Sequence, residues 1–407
     1  MKALPRIMLV TSALHATPTG GRELLCKLNH DTLQVLYGDR LRLVELPRAR
    51  PRGLRQMANA FRGHIDGIDH ASLSAALARI ESEAVDQVFL DGSNLGEFAR
   101  AVKAGWPQVE VVTFLHNVEA RFFAGAFRQA KSIRALAVLL ANYLAERKAV
   151  RHSDKLVTLS QRDSLQLQAL YGRAATHVVP MALQDQLPAK AGPFPAARTS
   201  PEAIAGAAAG TRARNAAGRY ALFVGGVFYA NQAGIAWFVE QVVPRIDIRI
   251  CVVGRGFEGL REVLERDRKV EVIGAVESLA EWYRHAAFVI APIFDGSGMK
   301  TKVAEALMHG RRVIGTPEAF SGYEGIAQQA GVVCSSADEF VAAINAVDAN
   351  TDAGTDQALR AIYEREYSHH AFRVKIARVL QVSWVGAPAE AGQGLRNGAA
   401  SMTVDRG

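Results

Sequence analysis

The residues best equipped for chemistry lie in one stretch, Pro292-Ile-Phe-Asp-Gly-Ser-Gly-Met-Lys-Thr-Lys-Val-Ala-Glu-Ala-Leu-Met-His-Gly-Arg-Arg-Val-Ile-Gly-Thr316. Residues 288–292 read as a short buried strand and 295–298 as a turn of small residues. Residues 300–308 have the apolar spacing of a helix, with Val303, Ala304, Leu307 and Met308 on one side. Gly310 suits the position just past a helix end, and 312–315 starts another strand. The first turn of a helix presents uncommitted N–H groups, and here it also carries Lys300 and Lys302. Dipole and cations together make an anion site suited to phosphate.

A second group stands far away in sequence. His116 follows a strand expected over 109–115, with Asn117, Glu119 and Arg121 close behind. Ligands of parallel sheets collect at the carboxyl ends of strands, which makes this polar group a candidate wall of a site. A loop holding Gly20 and Gly21 follows the first strand (residues 6–11), where backbone can approach a ligand closely. Gly225 and Gly226 follow a strand that opens at residue 220. Arg255 follows the strand at 248–254, and Val276 ends the one at 270–276.

Glu305 within the helix, with Gly322-Tyr-Glu-Gly325 after the next strand, completes a pattern. The sequence here resembles the sugar-nucleotide-binding half of GT-B glycosyltransferases, in particular the retaining glycosyltransferase family 4 group, bacterial polysaccharide type. Gly298, Lys302, Glu305, Ala306, Gly310, Val313, Thr316, Gly322, Glu324 and Gly325 match that group's motif in register. Two positions depart from it. Ser297 stands where the group usually has a first glutamate, and Arg312 where it has proline.

The resemblance implies an α/β protein of two Rossmann-like domains facing each other across a cleft. It implies a donor site made of Gly225, Gly226, Arg255, Val276, Ser297, Gly298, Met299, Lys300, Thr301, Lys302 and Glu305. Glu305 would accept ribose hydroxyls, and the backbone near Val276 would face the base. His116 matches a histidine that contacts the donor sugar, so His116, Lys302 and Glu305 form the expected catalytic set. Gly20, Gly21, Asn117, Glu119 and Arg121 would line the acceptor side. Relatives with an arginine–lysine pair after the first strand of this half set it on the diphosphate. Gly226 and Asn231 occupy that region here, which leaves the role to Lys300 and Lys302.

The elements that must hold these residues fill 407 positions, room for two domains of ordinary size. Residues 1–184 read as a Rossmann-like acceptor domain and 185–219 as a Pro/Ala/Gly-rich linker or insertion. Residues 220–362 read as the nucleotide-sugar domain, 363–385 as a closing helix, and 386–407 as a disordered tail. Cys26, Cys251 and Cys334 fit no metal spacing and suggest a reducing compartment. The apolar run at 7–10 is too short for an export signal, and the apolar helix at 133–144 too short to span a bilayer.

The net charge of +8 is concentrated at the start, where residues 1–62 hold eleven basic and four acidic side chains. The arginine-rich connection at 48–62 suits an anionic membrane surface. With Phe61 its only aromatic, it does not suit nucleic acid. No Gly-x-Gly-x-x-Gly follows the first strand, which argues against a dehydrogenase, and no Asp-x-Asp pair calls for a metal. The expectation is a cytoplasmic, peripherally membrane-bound glycosyltransferase, retaining and metal-independent. It would use no cofactor beyond a UDP- or GDP-linked sugar and transfer to a saccharide or lipid-linked saccharide in surface polysaccharide synthesis. A sugar-nucleotide 2-epimerase and a non-catalytic nucleotide-sugar-binding protein remain alternatives.

Overall fold

The computed structural model describes residues 4–12, 14–15, 21–47, 54–65, 67–187, 219–296, 298–347 and 355–384. Gly20, Ser297, residues 48–53, nearly all of the segment at 185–219 and the tail at 386–407 lie outside these described residues.

Among the described residues, short runs of β-branched and aliphatic residues form twelve strands, all paired in parallel, in two sheets of six. The first sheet holds β1 (Ile7–Ser12), β2 (Leu41–Leu46), β3 (Gln87–Asp91), β4 (Glu110–Phe114), β5 (Lys155–Thr158) and β6 (His177–Val178). Its order is β2-β1-β3-β4-β5-β6. The second holds β7 (Tyr220–Val224), β8 (Arg249–Val253), β9 (Val270–Gly274), β10 (Phe288–Ala291), β11 (Val313–Gly315) and β12 (Gly331–Val333). Its order is β12-β11-β10-β7-β8-β9. The chain therefore reverses direction across the first sheet between β1 and β3, and across the second between β7 and β10. In doubly wound sheets the crevice beyond these switch points receives ligands.

Helices cover both faces of each sheet, so the central strands carry apolar residues throughout rather than in alternation. Ile7 to Val10 and Ala221 to Phe223 are wholly buried. The helix Thr301–Met308 ends as its sequence requires. Gly310 has φ +63°, its N–H bonds to Leu307 O, and that of Arg311 bonds to Ala306 O. Ser160 caps the helix Gln161–Tyr171 by accepting from the Asp163 N–H.

Two expectations about the elements change. The boundary between 362 and 363 falls inside the helix Gln357–Glu366, and a second helix, His369–Leu380, follows the break at Tyr367-Ser368. Ser368 makes that break by capping the new helix through the Ala371 N–H. Phe372, Ile376, Val379 and Leu380 then pack among Ile7, Leu9 and Phe114, in the core of the first domain. The chain thus crosses between domains twice, side by side. Leu183 bridges Ser368, its N–H donates to Tyr367 O at 2.9 Å, and its carbonyl accepts from the Tyr363 hydroxyl at 2.8 Å.

Candidate active site

Between the two sheets, at the carboxyl ends of their strands, lies a cavity of about 790 Å³. Its walls come from both domains. Gly21, His116, Asn117, Arg121 and Arg162 belong to the first, and Asn231, Gly298, Met299, Lys300, Thr301 and Lys302 to the second. The basic side chains on its lining are Arg22, Arg121, Arg128, Arg162, Lys300 and Lys302, against the acidic Asp163 and Asp295. That excess concentrates anions. Another cavity, of about 550 Å³, lies at the amino ends of the second sheet's strands against Arg249, Lys269 and Phe288, and shares no residue with the cleft.

Each switch point holds a buried charge. In the second sheet Lys302 follows β10 and Asn231 follows β7. The Lys302 ammonium donates to Asn231 Oδ1 at 3.0 Å and lies 4.6 Å from the centre of the Phe223 ring. Lys302 is only 7% exposed. Burial pushes its pKa down to about 7; Glu305 pulls it back up in part and Lys300 pushes it further down. Lys300, at the N-cap of the same helix, donates to Gly298 O and to Glu318, both at 3.0 Å. Glu318 also accepts from Arg162 of the first domain at 2.9 Å, so one carboxylate links a cleft cation from each side.

In the first sheet the charge is Asp91, on β3, and it is fully paired. Thr11 of β1 donates to it at 2.5 Å and Asn29 at 2.8 Å, and His116 Nε2 lies 2.5 Å away. Burial alone would raise the Asp91 pKa, but His116, Thr11 and Cys26 outweigh it and hold it down to about 2. An ionised Asp91 requires the proton on His116 Nε2, which fixes the tautomer. Nδ1 and the outer ring edge are left for the cleft that His116 lines.

The domains also touch directly. Gly298 has φ +68°, and a Cβ there would sit 2.9 Å from Asn117 Oδ1 of the opposite domain. Gly322 has φ +87°, and a Cβ there would come 2.5 Å from Met299 Cγ. Any side chain at either position would push on the turn that holds Lys300.

Of the residues expected from sequence, the structure gathers Gly21, His116, Asn117, Arg121, Gly298, Met299, Lys300, Thr301 and Lys302 on the cavity wall. Six others do not line it. Glu305 turns its carboxyl to the Tyr283 hydroxyl at 2.7 Å, and burial pushes its pKa up despite Tyr283 and Lys302. Val276 is drawn against the second domain's core. Arg255 is exposed in a turn between two glycines of positive φ. Gly225 donates to Val253 O as a continuation of β7, and Gly226 O accepts from the Asn231 amide. Glu119 begins the helix Glu119–Ala130, with its N–H on Glu146.

Sequence reasoning missed Asp91 as the partner of His116, the Arg162–Glu318 bridge, and Glu146. The last is fully buried and accepts from Ser93, Tyr171 and the first two N–H groups of the Glu119–Ala130 helix. A buried carboxylate facing helix N–H groups is a cap, and this one anchors the helix that carries Arg121. The one group of side chains able to hold a metal among the described residues is Cys26, Asp91 and His116, whose ligand atoms lie within 4.8 Å of one another. Asp91 already has three partners, and burial pushes the Cys26 thiol up to about 12. The set as built is a hydrogen-bonded network.

Residues 218–350 match the family described as Glycosyl transferases group 1. No curated protein sequence matches the chain. Among solved structures, HepE of Anabaena in complex with UDP superposes with a TM-score of 0.64 at 15% identity, over 92% of this chain and 99% of that one. Sucrose-phosphate synthase of Thermosynechococcus elongatus gives 0.64 at 14%, over 92% and 98%. WaaG, a glycosyltransferase involved in lipopolysaccharide biosynthesis, gives 0.59 at 14%, over 91% and 99%. At such identities the likeness is one of fold, and it covers both domains. The protein has the GT-B fold, and its second domain matches the group 1 glycosyltransferase family. The family match covers the second domain alone, and the activity it points to is glycosyl transfer.

Proposed function

We propose that the protein transfers a sugar from a nucleoside diphosphate donor, UDP- or GDP-linked, to a saccharide or lipid-linked saccharide, with retention and without a metal. Lys302 carries this reading: a lysine buried at a helix start, hydrogen-bonded to one carbonyl and set over one ring, has its burial offset only in part by Glu305. A diphosphate supplies the remainder. As the bond from the sugar's anomeric carbon to the diphosphate oxygen breaks, the electron pair goes to the diphosphate, the acceptor hydroxyl oxygen bonds to the anomeric carbon, and the hydroxyl proton passes to the departing diphosphate. Lys302, Lys300 and the N–H groups of the helix start then stabilise the developing charge. His116, clamped by Asp91, would place the sugar from the opposite wall. Solved relatives of the same fold bind UDP and UDP-glucose or serve lipopolysaccharide synthesis, which favours a donor of that kind and a role in surface polysaccharide synthesis. The three free cysteines suit a reducing compartment, and on that ground we place the reaction in the cytoplasm; no helix among the described residues is long and apolar enough to cross a membrane.

The test is a panel of sugar nucleotides followed by product analysis. Free nucleoside diphosphate together with glycosylated acceptor is the expected outcome. An isomerised sugar would mark an epimerase, and binding without transfer or hydrolysis would mark a non-catalytic protein. Unchanged transfer by His116→Ala would remove that side chain from the site.

A further inference from the structure

The helix Ile133–His152 leaves a row of aliphatic side chains uncovered. Ile133 is 88% exposed, Leu136 39%, Leu140 44% and Leu144 36%. Their spacing of three, four and four puts them on one face. Phe122, 45% exposed, adds to the apolar surface from the neighbouring helix Glu119–Ala130, which packs against the first. A contiguous apolar face of this kind on a soluble domain marks a contact surface.

Its charge is predominantly basic. Between residues 119 and 152 stand Arg121, Arg128, Lys131, Arg134, Arg147 and Arg151, with Lys148 paired to Glu97 at 2.6 Å; of the two acidic residues, Glu146 is wholly buried and Glu119 is half-buried at the start of its helix. Arg121, Phe122 and Arg128 also line the cleft, so the face runs into its mouth.

We propose that this face docks the protein on an anionic lipid bilayer, with the aliphatic row at the boundary of headgroups and acyl chains and the basic residues among the headgroups. The cleft mouth then opens at the membrane surface, where an amphiphilic acceptor presents its sugar; that acceptor class rests on the function proposed above. Charge decides against a second copy of the chain as the occupant, because a symmetric pairing through this face would bring the same cations together. The surface differs from the arginine-rich connection at 48–62 to which the sequence pointed.

Flotation of the full chain with vesicles of phosphatidylcholine containing about a third phosphatidylglycerol tests the proposal. The protein should float with these vesicles at low salt and remain behind with pure phosphatidylcholine or at high salt. The double variant Leu136→Asp/Leu140→Asp should lose about tenfold or more in vesicle affinity, since each unit of surface charge is worth about fivefold. Its thermal midpoint and its transfer to a short water-soluble acceptor should stay unchanged. Arg52→Ala should float like the parent. The proposal is overturned if the parent does not float, if the double variant floats equally well, or if the parent is a dimer that the double variant dissolves. Failure of the parent to glycosylate any soluble acceptor would strike the proposed reaction instead, and leave the flotation result to stand by itself.

Discussion

The two switch points solve the burial of charge in opposite ways. Asp91, beside β1 in the first sheet, receives Thr11, Asn29 and His116, and its pKa ends at about 2. Lys302, beside β7 in the second, has Asn231 Oδ1 and the face of Phe223, and its pKa falls to about 7. A buried ion with a full set of partners is structural equipment; one with a partial set is poised for a ligand. The contrast fits the proposed division of the cleft into a fixed wall from the first domain and an anion-receiving wall from the second.

The comparison breaks most visibly through stability. Asp91→Ala strands His116, Thr11 and Asn29, and should cost about 3–5 kcal/mol of unfolding free energy, read by denaturant titration. The opposite sign is expected at the other switch point: Lys302→Met removes a desolvated charge and should leave the unliganded protein as stable or more so. The same variant should lose about 3–4 kcal/mol of transition-state stabilisation, seen as a fall of two to three orders of magnitude in kcat. Equal destabilisation by both variants would erase the distinction.

Acidity sharpens it further. The folded pKa of Lys302 lies below that of a free lysine, so the unfolded chain binds more protons between about pH 7 and 10, and stability should rise with pH across that window. Donor affinity should move the other way, weakening above pH 7 by up to about tenfold per pH unit as the ammonium is lost. Calorimetry of donor binding from pH 6 to 9 checks this, and Lys302→Met should flatten the profile. Asp91 sets the acid limit: its depressed pKa contributes stability that is present above about pH 4 and lost as pH falls toward 2. The smallest effect belongs to Arg255→Ala. That side chain is exposed outside the cleft, and its loss should shift stability by less than about 0.5 kcal/mol and leave turnover unaltered.

What the sequence made legible was local. The strand, glycine turn and lysine-bearing helix at 288–308 follow from apolar spacing and from residues a few positions apart. The same reasoning fails where partners meet only through the sheet. His116 sits next to Asn117, Glu119 and Arg121 in the chain, yet its hydrogen bond goes to Asp91, 25 residues earlier, because β3 and β4 pair with Asp91 opposite Phe114. Arg162 and Glu318 are 156 residues apart and meet only when the domains face each other. Glu305 matched a motif, but the motif carried no information about the Tyr283 hydroxyl that holds its carboxyl. The three-residue β12 and the break at Ser368 are too short for any periodic signal.

Leu183 and Ser368 lie against each other where the backbone passes from one domain to the other and back. A single tether would let the lobes swivel freely, whereas two adjacent ones act as the pins of a door and leave mainly opening and closing. Because the returning strand of chain ends in a helix embedded in the first lobe, that lobe is finished only after the second has been made. Synthesis order therefore makes the first lobe mature after the second, although its translation begins earlier.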